Sequence, residues 1–168
     1  MWFSKLKQPP RAVLYATPKF LNFKTVSGID MSIVDPKGQN IVLPPDADVT
    51  VIGESLTACL EASRSPRRRR DPDLYHYRAI EKSYKVWRSD LMERYNYKTQ
   101  KAMFSVMHYI NFSEVDYYIR GEKLRIDNLH KQSWTRAETD PVLNMHSQLS
   151  SDEIGTKIQA FLAAHAGG

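Results

Sequence analysis

The sequence predicts an α+β domain in which about three helices pack on a predominantly antiparallel sheet. Three observations predict it. The chain has 168 residues, of which 42% are apolar and 11% aromatic, enough for one folded domain and too much for a disordered chain. Short β-rich runs are interspersed with segments of 3.6-residue periodicity. Cys59 is the single cysteine, so no intrachain disulfide or multi-cysteine metal centre staples the fold. No apolar stretch is long enough to span a bilayer, and the N-terminus lacks the pattern of a secretory signal. The expectation is one soluble, cytoplasmic domain over 1–168, with an Arg-rich loop at 64–70 and a frayed tail at 165–168.

Residues 11–26 read as extended structure. Ala12-Val13-Leu14-Tyr15 is an apolar run that Pro18 interrupts, and Phe20, Leu21 and Phe23 resume it. Asp35-Pro36-Lys37-Gly38 is turn chemistry feeding the buried-strand candidate Ile41-Val42-Leu43. Asp48 then offers an N-cap to a helix whose stripe is Ile52, Leu56, Cys59 and Leu60. Asp71-Pro72 signals a second helix start, followed by Leu74, Tyr77, Ile80, Tyr84, Trp87, Leu91 and Tyr95 at three- and four-residue steps. This spacing predicts a helix of about seven turns. From Lys98 the chain turns β-branched and aromatic. Ala102–Ile110, Val115–Ile119 and Leu124–Leu129 read as strands, with Arg120-Gly121-Glu122 as a hairpin connection and Val142-Leu143 as a further short strand. Ser150-Ser151-Asp152-Glu153 fits a capping box that opens a last helix with the stripe Ile154, Ile158, Phe161 and Leu162.

The first and last helices echo one another. Ile52-Gly53 matches Ile154-Gly155, and Leu56, Ala58, Leu60 and Ala62 match Ile158, Ala160, Leu162 and Ala164. A weaker echo pairs Phe20-Leu21-Asn22-Phe23 with Tyr109-Ile110-Asn111-Phe112. Either the chain holds two loosely similar halves, or two amphipathic helices share common spacing. A glycine inside a helix costs about 1 kcal/mol against alanine, so a matched pair suggests close approach of a neighbouring backbone.

The net charge of +5 is local. The first 70 residues carry 11 basic and 6 acidic groups, and the rest carry 13 of each. Arg64, Arg67, Arg68, Arg69 and Arg70 fall in one acid-free segment that accounts for the whole excess. Such a segment can be a solvated loop, a phosphate-binding element of a nucleic-acid module, or a docking site for an acidic surface. No aromatics interleave with it for base stacking.

No catalytic constellation emerges. His76, His108, His130, His146 and His165 have no metal-ligand spacing, and Cys59 lies on an apolar stripe where a buried thiol is inert. Asp35 and Lys37 together evoke a nuclease ingredient, yet they sit in a turn sequence. There is no nucleophile elbow, phosphate loop or dinucleotide fingerprint. No enzyme activity, cofactor or metal is expected. The aromatics suit interaction instead. Tyr84 and Trp87 fit the core, whereas Tyr117-Tyr118 in a strand should place one ring inward and one outward. Trp134, in a polar segment beside Glu138 and Asp140, reads as an exposed aromatic of the type that anchors protein interfaces.

Two stretches resemble a known family. They are Val13-Leu14-Tyr15-Ala16-Thr17-Pro18-Lys19-Phe20-Leu21 with Asp35-Pro36-Lys37-Gly38-Gln39-Asn40-Ile41-Val42-Leu43-Pro44-Pro45-Asp46, and Asp90-Leu91-Met92-Glu93-Arg94-Tyr95-Asn96-Tyr97-Lys98-Thr99-Gln100-Lys101-Ala102-Met103-Phe104. With the closing Ile154-Gly155 helix, they resemble the immunity proteins of bacterial contact-dependent growth inhibition systems. That resemblance implies a cytoplasmic inhibitor that binds one cognate toxin domain, often a nuclease acting on transfer RNA or DNA, and blocks it by one-to-one occlusion. No membrane or metal partner is expected, and a nucleic-acid partner only in the alternative reading, a binding module that uses the Arg64–Arg70 loop. A basic nuclease surface calls for local acids on the inhibitor, and two groups are candidates: Trp134 with Glu138 and Asp140, or Tyr117 with Glu114 and Asp116.

Overall fold

The computed structural model describes residues 8–29, 31–66, 70–128 and 133–165. Its centre is the β-ribbon of β1 (Arg11–Thr17) and β2 (Phe20–Ser27), joined by a two-residue turn at Pro18-Lys19. The uninterrupted apolar run of β1 buries both of its faces, and every residue of β2 is buried as well. On one side β1 pairs with β2, and on the other with β5 (His108–Val115). β5 pairs in turn with β6 (Tyr118–Asn128). The edges are shared between short strands. β3 (Ile33–Val34) and β4 (Asn40–Leu43) both pair with β2, and β7 (Ser133–Thr135) and β8 (Val142–His146) both pair with β6. All pairings are antiparallel, and with four helices the α+β expectation holds, one helix richer than predicted.

Strand alternation divides the core in two. Ala12, Leu14, Ala16, Leu21, Phe23, Ile110 and Phe112 face α1 (Val49–Glu61) and α4 (Ser151–Ala164). Val13, Tyr15, Phe20 and Val26 face α2 (Tyr77–Arg94) and α3 (Gln100–Ser105) through Trp87, Leu91, Met103 and Phe104. Both predicted caps form: Asp48 accepts from the Thr50 N–H, and Ser150 with Glu153 makes the full capping box.

The paired glycines do what a close backbone approach requires. A Cβ on Gly53 would stand 2.0 Å from the Ser151 carbonyl oxygen, and one on Gly155 would stand 1.7 Å from that of Val49. Ser151 follows Val49 by the same 102-residue offset that relates the glycines, and Thr50 hydrogen-bonds Asp152 across it. The contact is therefore reciprocal, a local two-fold between the first turns of α1 and α4. The second echo also has a spatial counterpart, because β2 and β5 flank β1 on opposite sides.

Several local expectations are corrected. The long helix begins at Tyr77, not at Asp71-Pro72, and has five turns. Asp71 instead closes a tight turn, its side chain accepting from Asp73 N–H and its carbonyl from Leu74 and Tyr75 N–H. Leu74 is buried ahead of the helix, Tyr77 is exposed, and His76 caps the helix through Nδ1. Ala102–Ile110 is not one strand. Thr99 caps α3, which turns Met103 and Phe104 together into the core before β5 starts. The hairpin connection is Asp116-Tyr117 and not Arg120-Gly121-Glu122, which lie inside β6. Gly121 faces Phe112, whose ring carbon would be 2.7 Å from an added Cβ, so its smallness makes room and does not make a turn. His165 follows α4 with its ring against Phe161 and its carbonyl accepting from Lys123. Leu129 and residues 166–168 lie outside the described residues.

Gly155→Ala is expected to lower stability by about 2 kcal/mol, since overpacking outweighs the gain in helix propensity. In urea denaturation the exposed neighbour Thr156→Ala should change it by less than about 0.5 kcal/mol. Equal effects from the two variants would show that the interhelical contact is not close.

Candidate functional site

Because every residue of β2 is buried, each polar side chain on it needs a partner. Thr25 Oγ1 donates to the Cys59 carbonyl and accepts from Gln39 N–H. Asn22 accepts from Trp87 Nε1 at 2.6 Å and donates to Asn40. Ser27 donates to Asp35 and accepts from Arg64 N–H. Cys59 is fully buried, and burial pushes its thiol up to about 12, which leaves it inert. Among the described residues, no three His, Cys, Asp or Glu side chains come together in a way that could hold a metal ion.

Asp35 and Arg64 form a structural pair. Arg64 Nε lies 2.6 Å from Asp35 Oδ2 and its Nη2 3.1 Å from Oδ1, the fork geometry of a bidentate pair. Burial raises the Asp35 pKa, but the hydrogen bonds from Arg64, Lys37 N–H and Ser27 outweigh it and hold the group below its ordinary value. Arg64 is thus not part of a detachable basic loop. Arg70 is exposed, and Arg67, Arg68 and Arg69 lie outside the described residues.

The two acid–aromatic groups prove very different. Trp134 is half-buried in β7 and stacks on Tyr109 at 5.1 Å, so the expectation of an exposed ring is corrected. A pleated strand pairing with β6 presents one of its side chains to the sheet face, and Trp134 takes that position opposite Ile126. Asp140 is occupied too. It accepts from Ala137 N–H at 2.6 Å and from Arg125 at 2.5 Å, and these two donors hold its carboxyl below the usual range. Of this group Glu138 alone is exposed.

The other group sits at the β5–β6 turn, at the opposite end of β6, eight residues or roughly 27 Å of strand away. Asp116 and Tyr117 both adopt left-handed backbone, with φ of 48° and 67°. Two such residues in succession match the twist of a hairpin, and Asn-Gly or Asp-Gly is the sequence that does so without strain. Here the second position holds a tyrosine, so the expected in-and-out pair of tyrosines is not found. Tyr117 and Tyr118 are 64% and 61% exposed, next to the exposed Val115. His146 of β8 lies parallel to the Tyr117 ring and edge-on to Tyr118. Ser147 N–H donates to the Tyr117 carbonyl at 2.7 Å, and Glu114 N–H to that of Pro10, which pins both limbs of the hairpin. Asp116 is exposed in the turn itself, and Glu114, half-buried, alternates to the sheet face opposite Val115 and Tyr118.

Residues 10–164 match the model of the CDI immunity protein family. The immunity protein CdiI-YPIII of Yersinia pseudotuberculosis serotype O:3 (strain YPIII) is 31% identical over 100 residues, covering 52% of this chain. The match spans 56%, about half, of that relative's length. The fold is similar to a Neisseria meningitidis protein of unknown function, with a TM-score of 0.81 at 23% identity over 98% of this chain and 99% of that one. It is also similar to a chain in the CdiA-CT/CdiI toxin and immunity complex from Yersinia pseudotuberculosis, with a TM-score of 0.79 at 25% identity over 91% and 95%.

Arg64→Met is expected to cost about 2 kcal/mol at pH 7, since it strands the buried Asp35; the figure sits below that for a fully buried pair because Arg64 is 38% exposed. The lowered Asp35 pKa gives its contribution in full above the unfolded value near about 3.9 and loses it as pH falls through the folded value. Urea titrations should therefore show wild type and variant converging below about pH 4, and a constant difference would refute the pairing.

Proposed function

The chain belongs to the CDI immunity protein family, and from that premise we propose that it binds and neutralises the toxin domain of its own growth-inhibition system. The proposed mechanism is one-to-one occlusion in the cytoplasm, without turnover, of a toxin that is a nuclease. The observation that carries the reading is the hairpin tip at Asp116-Tyr117. Natural hairpins relieve left-handed backbone with glycine or asparagine, whereas this one retains a tyrosine and leaves it largely exposed. Strained backbone that displays an aromatic ring suits recognition and does nothing for folding.

The physical case follows from the same residues. Tyr117 and Tyr118 supply large contact area with few rotatable bonds, and Val115 extends the apolar surface. The β8 hydrogen bond and the tight turn hold the tip in place before binding, which reduces the ordering cost. Glu114 and Asp116 place negative charge around it, complementary to the phosphate-binding surface a nuclease presents, and such charge speeds encounter. That the similar Yersinia chain is described within a toxin and immunity complex supports the reading. The alternative, a nucleic-acid module built on Arg64–Arg70, is weakened because Arg64 is engaged by Asp35.

The test is co-expression with the toxin domain encoded beside this gene, together with titration of the purified pair. The chain should protect growth, and Glu114→Lys with Asp116→Lys should weaken the complex at least tenfold, about 1.4 kcal/mol. Tyr117→Gly separates binding from folding. It removes roughly 1 kcal/mol of left-handed strain, so the free protein melts no lower, while affinity falls at least tenfold. Unchanged affinity in both variants would place the interface elsewhere, and failure to protect would overturn the immunity reading.

A further inference from the structure

Lys24 is the one polar side chain of β2 left without a hydrogen bond or ion pair among the described residues. It is 93% buried by the measure of its 7% relative exposure, and its Nζ sits over the Trp87 ring, 4.8 Å from the centroid. The buried lysine on β6 makes the contrast, since Lys123 Nζ donates to the His165 carbonyl at 2.9 Å. An ammonium largely withdrawn from water, set over an indole face at the floor of an open cleft, is less well solvated than one at the surface.

Lys24 lines a cleft of about 410 Å³ between α2 and the β2–β4 edge. α2 rests on the sheet through Trp87 and Leu91 in its second half, while Val86 is 60% exposed. Val42, Val86 and Trp87 make the walls apolar, and Lys24 is recessed among them. From α2 come Lys82 and Asp90, both exposed, and from the turn before β4 comes Asp35, already held by Arg64. The cleft offers an unmet positive charge at an apolar site, and the group that meets it is a carboxylate.

Its position points to the source. β1 pairs Arg11 with Val26 on one side and with Ser113 on the other. The Asp35–Arg64 end of the cleft and the β5–β6 tip therefore lie at the same end of the sheet, with β2 and β5 two strand spacings apart, roughly 10 Å. A standard interface, about 800 Å² on each partner, spans both. We propose that the Lys24 cleft is the second contact of the toxin interface and receives an aspartate or glutamate side chain of the toxin domain. This inference rests on the immunity reading above and gives the interface two polarities, acids at the tip and a recessed cation in the cleft.

The experiment titrates the toxin domain encoded beside the gene into the full chain carrying Lys24→Met or Lys24→Arg. Lys24→Met should weaken the complex at least tenfold while the free variant melts at the same or a higher temperature, because an unpaired buried charge has been removed. Lys24→Arg should stay within about threefold of wild type. A second readout follows the Lys24 amine by NMR. Burial lowers it to about 8 in the free chain, and a bound carboxylate should raise it in the complex. Tight binding by the unaltered chain, with Lys24→Met within twofold of it and the amine unmoved, would overturn the inference and leave the immunity reading intact. No complex with the unaltered chain would overturn both.

Discussion

The constraint on which the structure depends is that the β1–β2 ribbon has no face to give to solvent. An antiparallel sheet can leave one face wet, with polar residues alternating along its strands. Here Val13 and Tyr15 are as buried as Ala12, Leu14 and Ala16, so helices must cover both sides. α1 and α4 cover one, and α2 and α3 the other. With the centre of the sheet sealed, the proposed recognition elements lie at its margins: the β5–β6 turn, and the cleft between α2 and β4.

The two helical layers meet this demand differently. α1 and α4 interlock by backbone contact at Gly53 and Gly155, which makes one rigid slab out of segments separated by 102 residues. α2 is held by less, chiefly Trp87 and Leu91, with Trp87 tied to β2 through Asn22. The rigid layer fixes the sheet, and through it the hairpin tip. The lighter layer borders the cleft. A tip held in one conformation before encounter loses little entropy on binding.

What was legible in the sequence follows from the range of the interactions. The caps of α1 and α4, the Pro18 break in the strand run and the glycine pair are set by residues within a few positions of each other or by an exact repeat, and all are readable. Gly121 reads as a turn residue because a glycine in a turn and a glycine beneath a phenylalanine ring look the same until β5 is laid against β6. Asp71-Pro72 has the chemistry of a helix start, but His76 supplies the cap that the helix uses. Trp134 stands among polar residues in sequence and against Tyr109 in space. Arg64 counted as loop charge because nothing local reveals its partner, which is 29 residues away. The Val115-to-Tyr118 tip carries a usable signal, acids beside paired tyrosines, although the glycine draws the expected turn four residues downstream of the real one. Lys24 carried none, since burial of a strand lysine depends on the helix that covers it.

The proposed toxin interface lies at one end of the sheet, formed by the hairpin tip and the adjoining cleft. Amide hydrogen exchange of the chain, alone and with its toxin domain, tests this without any mutation. Protection should rise at residues 114–118 and along 40–42 and 82–87, while α1 and α4 exchange as before. Protection confined to the outer surfaces of α1 and α4, with the tip exchanging freely in the complex, would contradict it.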